Sequence, residues 1–152
     1  MDIVQQIRDK GLKATPARQL VYGELTRSHM AYSHAELEAL FIDMDRVTLY
    51  RILKDFEDAG LVHKVFDTQG STRFAICHHT CPGKHHAENH VHFNCNDCGK
   101  MFCLQAVQTP EINIPGGFKV AGMHTLIYGS CEKCNRQRET NLTENKIEVT
   151  IG

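Results

Sequence analysis

The sequence predicts an α+β protein in two parts: a helical N-terminal half closed by a hairpin, then a small C-terminal lobe of strands and helix. Three observations carry that reading. Apolar residues recur at helical spacing from Ile3 to Phe56. Two β-prone segments, Leu61 to Phe66 and Thr72 to Ile76, then flank the turn-rich stretch Asp67-Thr-Gln-Gly-Ser71. Beyond them stand two C-x2-C pairs, Cys95/Cys98 and Cys131/Cys134, which supply the four thiolates of a closed tetrahedral zinc site.

Ile3, Val4 and Ile7 predict a short first helix that ends at Lys10-Gly11. Thr15-Pro16 opens a second, with threonine as N-cap and proline at the first helical position, and Ala17, Leu20, Val21 and Leu25 as its buried stripe. Ser33-His-Ala-Glu36 has the form of a capping box and starts a third, whose apolar face is Leu37, Leu40 and Phe41. Asp45 caps a fourth. There Leu49, Ile52, Leu53 and Phe56 face inward, while Arg46, Tyr50, Arg51 and Lys54 stay on the outer side, and Gly60 stops the helix. Three helices, a fourth with a polar outer face, then a hairpin is the order of a winged helix-turn-helix. In that arrangement the fourth helix enters the DNA major groove and the hairpin is the wing. The same pattern fits a small helical domain with a solvated face on which Arg51 pairs with Asp55 at i, i+4.

Cys77 to Asn89 has no hydrophobic period and reads as a linker, although it holds Cys77, His78, His79, Cys81, His85 and His86. Alternation resumes at His90, so in a strand His90 and His92 share one face and Cys95 points to the other. Gly99 relieves crowding after the first cysteine pair. Gln105 to Pro115 is ambiguous between helix and turn, Phe118 to Tyr128 suggests another strand, and the polar tail after Arg138 a last short helix.

Net charge is −1, with ten Lys/Arg against eleven Asp/Glu up to Ile76 and seven against seven after it, so nucleic-acid binding must come from local basic residues. No apolar run approaches a membrane span, which takes about 18 residues, and no signal pattern opens the chain. The expected location is cytoplasmic, where seven cysteines point to metal or redox chemistry rather than a disulfide framework.

Four stretches resemble the ferric uptake regulator family of metal-responsive repressors: Gly11-Leu-Lys-Ala-Thr-Pro-Ala-Arg18, Val47-Thr-Leu-Tyr-Arg51, Ala59-Gly-Leu-Val-His-Lys64, and His90-x-His92-x-x-Cys95-x-x-Cys98-Gly. The resemblance implies a winged-helix DNA-binding domain over 1–77, a hinge over 78–89 and a metal-binding α/β dimerisation domain over 90–152. It implies a homodimer on a palindromic double-stranded operator. Tyr50 and Arg51 match the family's DNA-contacting pair, and Arg46, Thr48, Lys13, Arg18 and Lys64 are expected around them. Cys95, Cys98, Cys131 and Cys134 match its structural zinc site.

The family's sensory site takes ligands from both domains. Iron and manganese sensors carry a histidine just before the third helix and a carboxylate on the wing, where this chain has Ala31 and Ala75. His63 and Cys77 stand instead where zinc uptake regulators carry a wing ligand and a cysteine. The expected regulatory set is therefore His63, Cys77, His90 and His92, with Cys103 at a position usually held by a carboxylate. A thiolate in a reversible site favours zinc, with ferrous iron as the alternative. A third site keeps only Glu111 and His124, because Asn89 and Val91 replace its other ligands.

A zinc enzyme is the rival reading. His34-Ala-Glu36 and His86-Ala-Glu88 have the H-x-E form of nucleobase deaminases, but Asn94 rather than proline precedes Cys95, and Glu88 lies too close to it. Four cysteines also leave zinc no open position for water. The expectation is a regulator with no catalytic residues and no small-molecule substrate.

Overall fold

The computed structural model describes residues 2–76 and 90–150, without the side chains of Gln105 and 143–150. Local side-chain chemistry sets each helix start. Asp2 caps α1 (Ile3–Asp9), and the chain turns at Gly11 with φ of +77°. The Thr15 hydroxyl accepts from the Arg18 N–H at the head of α2 (Pro16–Ser28), with Pro16 at the first position. Ser33 and Glu36 form a reciprocal capping box on α3 (His34–Leu40), with bonds of 3.2 and 2.9 Å. Asp45 caps α4 (Arg46–Asp58) through the Thr48 N–H at 3.0 Å. Gly60, at φ +71°, then releases the chain into β2 (Val62–Phe66), which pairs antiparallel with β3 (Thr72–Ile76).

Ile7, Val21, Leu25, Leu37, Leu49, Leu53 and Phe56 fill the first core, with Tyr22 packed edge-on to Phe56. Two expected members fall outside it: Leu20 is 61% and Leu40 51% exposed. Tyr22 takes the place given to Leu20, since the inward arc of α2 runs through Val21, Tyr22 and Leu25.

The C-terminal lobe contains β4 (His90–Cys95), β5 (Met101–Gln108), β6 (Leu126–Gly129) and α5 (Glu132–Thr150). The expected strand from Phe118 is cut to β6, because residues 111–122 are exposed and Pro115-Gly-Gly117 turns the chain. Gln105 to Gln108 is strand rather than helix, and the last helix opens at Glu132, ahead of Arg138.

A strand the sequence did not signal joins the two halves. β1 (Met30–Ser33) pairs with β3 on one side and β5 on the other, giving one six-stranded sheet in the order β2-β3-β1-β5-β4-β6. The registers Ser33↔Arg73, Ala75↔His63, Ala31↔Met101 and His92↔Cys103 put those side chains on a single face. That face is strongly concave. Strands lie about 4.8 Å apart, so a flat sheet would hold His63 on β2 about 19 Å from His92 on β4, yet their Nε2 atoms are 3.4 Å apart. Ala31, Val65, Ala75 and Met101 fill the hollow.

Candidate metal centres and nucleic-acid face

Cys95 ends β4, Cys98 lies in the following turn, and Cys131 and Cys134 stand at the head of α5. The turn is closed by a Gly99 N–H bond to the Cys95 carbonyl and by Gly99 itself at φ +70°. All four sulfurs lie within 4.8 Å of one another, and Cys98 and Cys131 are 3.9 Å apart. Zinc–sulfur bonds of about 2.3 Å make a tetrahedron with edges of about 3.8 Å, so the donor set fits zinc. The proton distribution says the same. Burial pushes the Cys95 thiol up, but N–H donors from Cys98, Cys131 and Asp97 outweigh it and bring the thiol down to about 6. Cys134, beside Cys131 and its other sulfur neighbours, is pushed up to about 12. Four thiolates can share this space only around a cation. Arg138 pins α5 to the knuckle through Asp97 and Ser130.

A second group gathers on the concave face. The His63, His90 and His92 ring nitrogens lie within 4.8 Å of one another. The Nε2 separations are 3.4 Å for His63–His92 and 3.2 Å for His90–His92. Tetrahedral zinc–nitrogen bonds of about 2.0–2.1 Å would place such atoms about 3.3 Å apart. His63 and His92 are buried. Burial first, with His90 and His124 next, lowers the His92 imidazole to about 4, so this ring is a neutral donor at ordinary pH. Cys77 lies outside the described residues. Cys103 faces His92 across the strand pair but is not within the histidine group, and its N–H donates to the His29 carbonyl at 3.2 Å. Glu111 and His124 are exposed on irregular chain, and among the described residues neither joins a group of three or more donors.

On the opposite side of the winged helix, α4 presents Arg46, Val47, Thr48, Tyr50 and Arg51 to solvent. Most of the basic residues expected there already hold carboxylates. Arg46 meets Glu38 at 3.0 Å, and His34 meets the same oxygen at 2.6 Å. Lys64 meets Glu57 at 2.9 Å, and Arg18 meets Asp55 at 2.5 Å. Asp55 is thus taken by α2 rather than by Arg51. Among the described residues Arg51 and Lys13 have no ion pair. A cleft of about 490 Å³ separates α4 from the wing, lined by His34, Arg46, Val47, Tyr50, Lys64, Thr72 and Phe74. Val47 and His34, neither of them among the expected DNA contacts, both line this cleft. An apolar residue on the polar side of α4 was the available signal for Val47.

Residues 9–128 match the profile of the ferric uptake regulator family. The chain belongs to that family. It is a metal-responsive transcriptional regulator. It is 30% identical over 139 residues to the peroxide-responsive repressor PerR of Staphylococcus aureus, covering 86% of this chain and 88% of that one. Among solved structures, the Vibrio cholerae ferric uptake regulator aligns with a TM-score of 0.56 at 24% identity, covering 86% of this chain and all of the other. A zinc uptake regulator complexed with zinc and DNA aligns at 0.57 and 20% identity, covering 89% and 91%. At these identities the likeness speaks to the fold.

Within the family frame, Ala31 and Ala75 have a structural explanation. Both are buried in the hollow of the sheet against Val65 and Met101, and neither brings a donor atom to the histidines. No helix among the described residues is long and apolar enough to cross a membrane.

Proposed function

We propose that this chain is a cytoplasmic, zinc-responsive repressor of metal-uptake genes that binds a palindromic operator as a homodimer. The observation that carries the reading is the imidazole group, in which a wing residue, His63, meets two residues of the C-terminal lobe, His90 and His92, at tetrahedral spacing. Cys77, the residue after β3, completes the regulatory set as a thiolate. Cys95, Cys98, Cys131 and Cys134 hold a separate structural zinc. Glu111 and His124 form at most a weak third site.

When bound, the regulatory ion supplies one shared partner for donors on the wing and the lobe. The residues do the rest. His92, neutral through burial, is ready to ligate without first losing a proton. Joining the wing to the lobe fixes the two α4 helices of a dimer at operator spacing. An ion that favours this closed form by ~1–3 kcal/mol tightens DNA binding about 5–150-fold. The Cys77 thiol must lose its proton to take part, so sensing weakens as pH falls below neutrality. The second reading is an iron-responsive regulator, favoured by the fact that all three described donors are nitrogens.

Operator binding by protein that keeps one zinc per chain at the cysteine site and is stripped of any other metal, titrated anaerobically with zinc, ferrous iron and manganese, separates the two. Cys77→Ala and His90→Ala should each keep one zinc per chain and lose zinc-dependent binding. Should Cys77→Ala respond to zinc as the parent does while His90→Ala does not, the iron reading takes precedence.

A further inference from the structure

The concave sheet is tied across its two halves at places that hold no metal donor. Arg73, on β3, is buried at 8% exposure, and its guanidinium reaches four separate segments. Nε donates to Asp67 of the wing turn at 3.2 Å, and Nη1 to Glu36 of the α3 capping box at 2.8 Å. Nη1 also points to the Ala31 carbonyl of β1 at 3.4 Å. Nη2 donates to the Gly99 carbonyl, one residue past Cys98, at 3.0 Å. Asn94, one residue before Cys95 and 5% exposed, makes a second tie to the wing turn. Its Oδ1 accepts from the Thr68 hydroxyl at 3.0 Å and from the Thr68 N–H at 3.3 Å.

The partners divide unequally. Asp67, Glu36 and Ala31 belong to the winged-helix half, while Gly99 belongs to the cysteine knuckle. The two carboxylates therefore hold the guanidinium whether or not the halves are together, and they aim Nη2 at the lobe. Separating the halves breaks the bonds to Gly99 and Asn94 and leaves the rest. A buried charge is tolerated only with its donors satisfied, so the closed arrangement completes the set. The histidines lie on the same face and are assembled only when the sheet is curled.

We propose that Arg73, aimed by Glu36 and Asp67 and supported by Asn94, is an interdomain latch that positions the wing against the cysteine knuckle and so preassembles the histidine cluster. The proposal rests on the reading of that cluster as the sensing site. It makes a specific demand. Apparent affinity for the regulatory ion scales with the fraction of molecules already closed. Weakening the latch lowers that fraction, while a saturating ion restores it.

The test uses full-length protein carrying its structural zinc, in the parent, Arg73→Lys and Asn94→Ala. Lysine keeps the charge for Asp67 and Glu36 but lacks the planar fork that reaches Gly99 as well. Operator binding is followed against free zinc, and backbone amide exchange is measured at Cys103, whose N–H bonds His29 at the β1–β5 junction. Expected in both variants is a zinc midpoint raised about fivefold or more, with affinity at saturating zinc within about twofold of the parent. The Cys103 amide should exchange faster before zinc and regain protection after it, with α4 amides unchanged. A role confined to fold stability would lower the saturated affinity and leave the midpoint in place, which overturns the latch, as does a parental midpoint in both variants. Should Arg73→Lys lose its structural zinc, Asn94→Ala decides alone, a parental midpoint there overturning the proposal. A parent that ignores zinc defeats the sensing reading instead. The amide exchange then judges the latch, faster exchange in the variants supporting it and parental exchange ruling it out.

Discussion

Three backbone N–H groups converge on the Cys95 sulfur, which is why this buried thiol falls to about 6 when burial alone would raise it. A sulfur so prepared is the natural anchor of the proposed structural zinc site. Comparable sites contribute roughly 10–16 kcal/mol to the folding of small zinc domains. Cys95→Ser should therefore release zinc, unfold the C-terminal lobe and abolish the dimer, checked by metal analysis and sedimentation. A dimeric, well-folded, zinc-free variant would contradict the assignment. His92 gives a prediction of opposite charge logic. Burial, with His90 and His124, holds its imidazole down to about 4, whereas the unfolded chain takes up the proton near pH 6.5. The unfolded state thus binds more protons between these values. The stabilising effect of the neutral ring is complete above about pH 6.5 and is lost as pH falls towards 4, by up to about 3 kcal/mol. Urea unfolding of protein that keeps its cysteine-bound zinc but carries no metal at the histidine group should show this slope, and His92→Gln should flatten it. Equal slopes would mean that the ring is not held neutral.

α4 is the element on which the DNA reading depends. Its start is fixed by Asp45, its inward face by Leu49, Ile52, Leu53 and Phe56, and its outer face is left to Tyr50 and Arg51. Exposed ion pairs are worth about 0–1 kcal/mol, so Arg46 and Lys64 can exchange Glu38 and Glu57 for phosphates at little cost. These carboxylates also lower the basic charge that a random DNA sequence meets. Arg51, which has no such partner among the described residues, is the side chain proposed to read a base. Arg51→Ala should weaken operator binding by about 1–3 kcal/mol and relax preference at one position. Uniform weakening over all sequences would instead mark a phosphate contact. Glu57→Gln should leave thermal stability within about 1 kcal/mol of the parent while strengthening binding to unrelated DNA. The binding effects are read from isotherms over a salt series and the stability from thermal unfolding.

Across the whole molecule, the curl of the six-stranded sheet decides which residues meet. It depends on small side chains in the hollow, and Ala75, fully buried opposite His63, is the tightest of them. Ala75→Leu should cost about 1–3 kcal/mol by overpacking against Val65 and Met101. It should also push His63 away from His92 and weaken the regulatory site while the cysteine site keeps its zinc. Calorimetry with metal titration tests both effects. Unchanged regulatory affinity would show that the histidines assemble without the curl.

By itself the sequence determined the features that arise within a few residues of chain. Thr15, Ser33 and Asp45 cap their helices as expected, since each bond spans three residues. The cysteine spacing announced a four-sulfur group because a short turn dictates where paired sulfurs point. Strand alternation likewise put His90 and His92 on one face. What lay beyond local rules was left to tertiary structure. β1, four residues between two helices, is too short to show a period, and pairing with both β3 and β5 makes it a strand. Leu20 and Leu40 satisfy the helical period, yet among the described residues no second surface covers them. His63 stands 29 residues from His92, and Arg73 is 26 from Gly99. The expectation that His63 shares a site with His90 and His92 came from family resemblance, because periodicity carries no information about registers between distant strands. Only the curled sheet, whose registers sum over every strand pair, brings those groups within bonding distance.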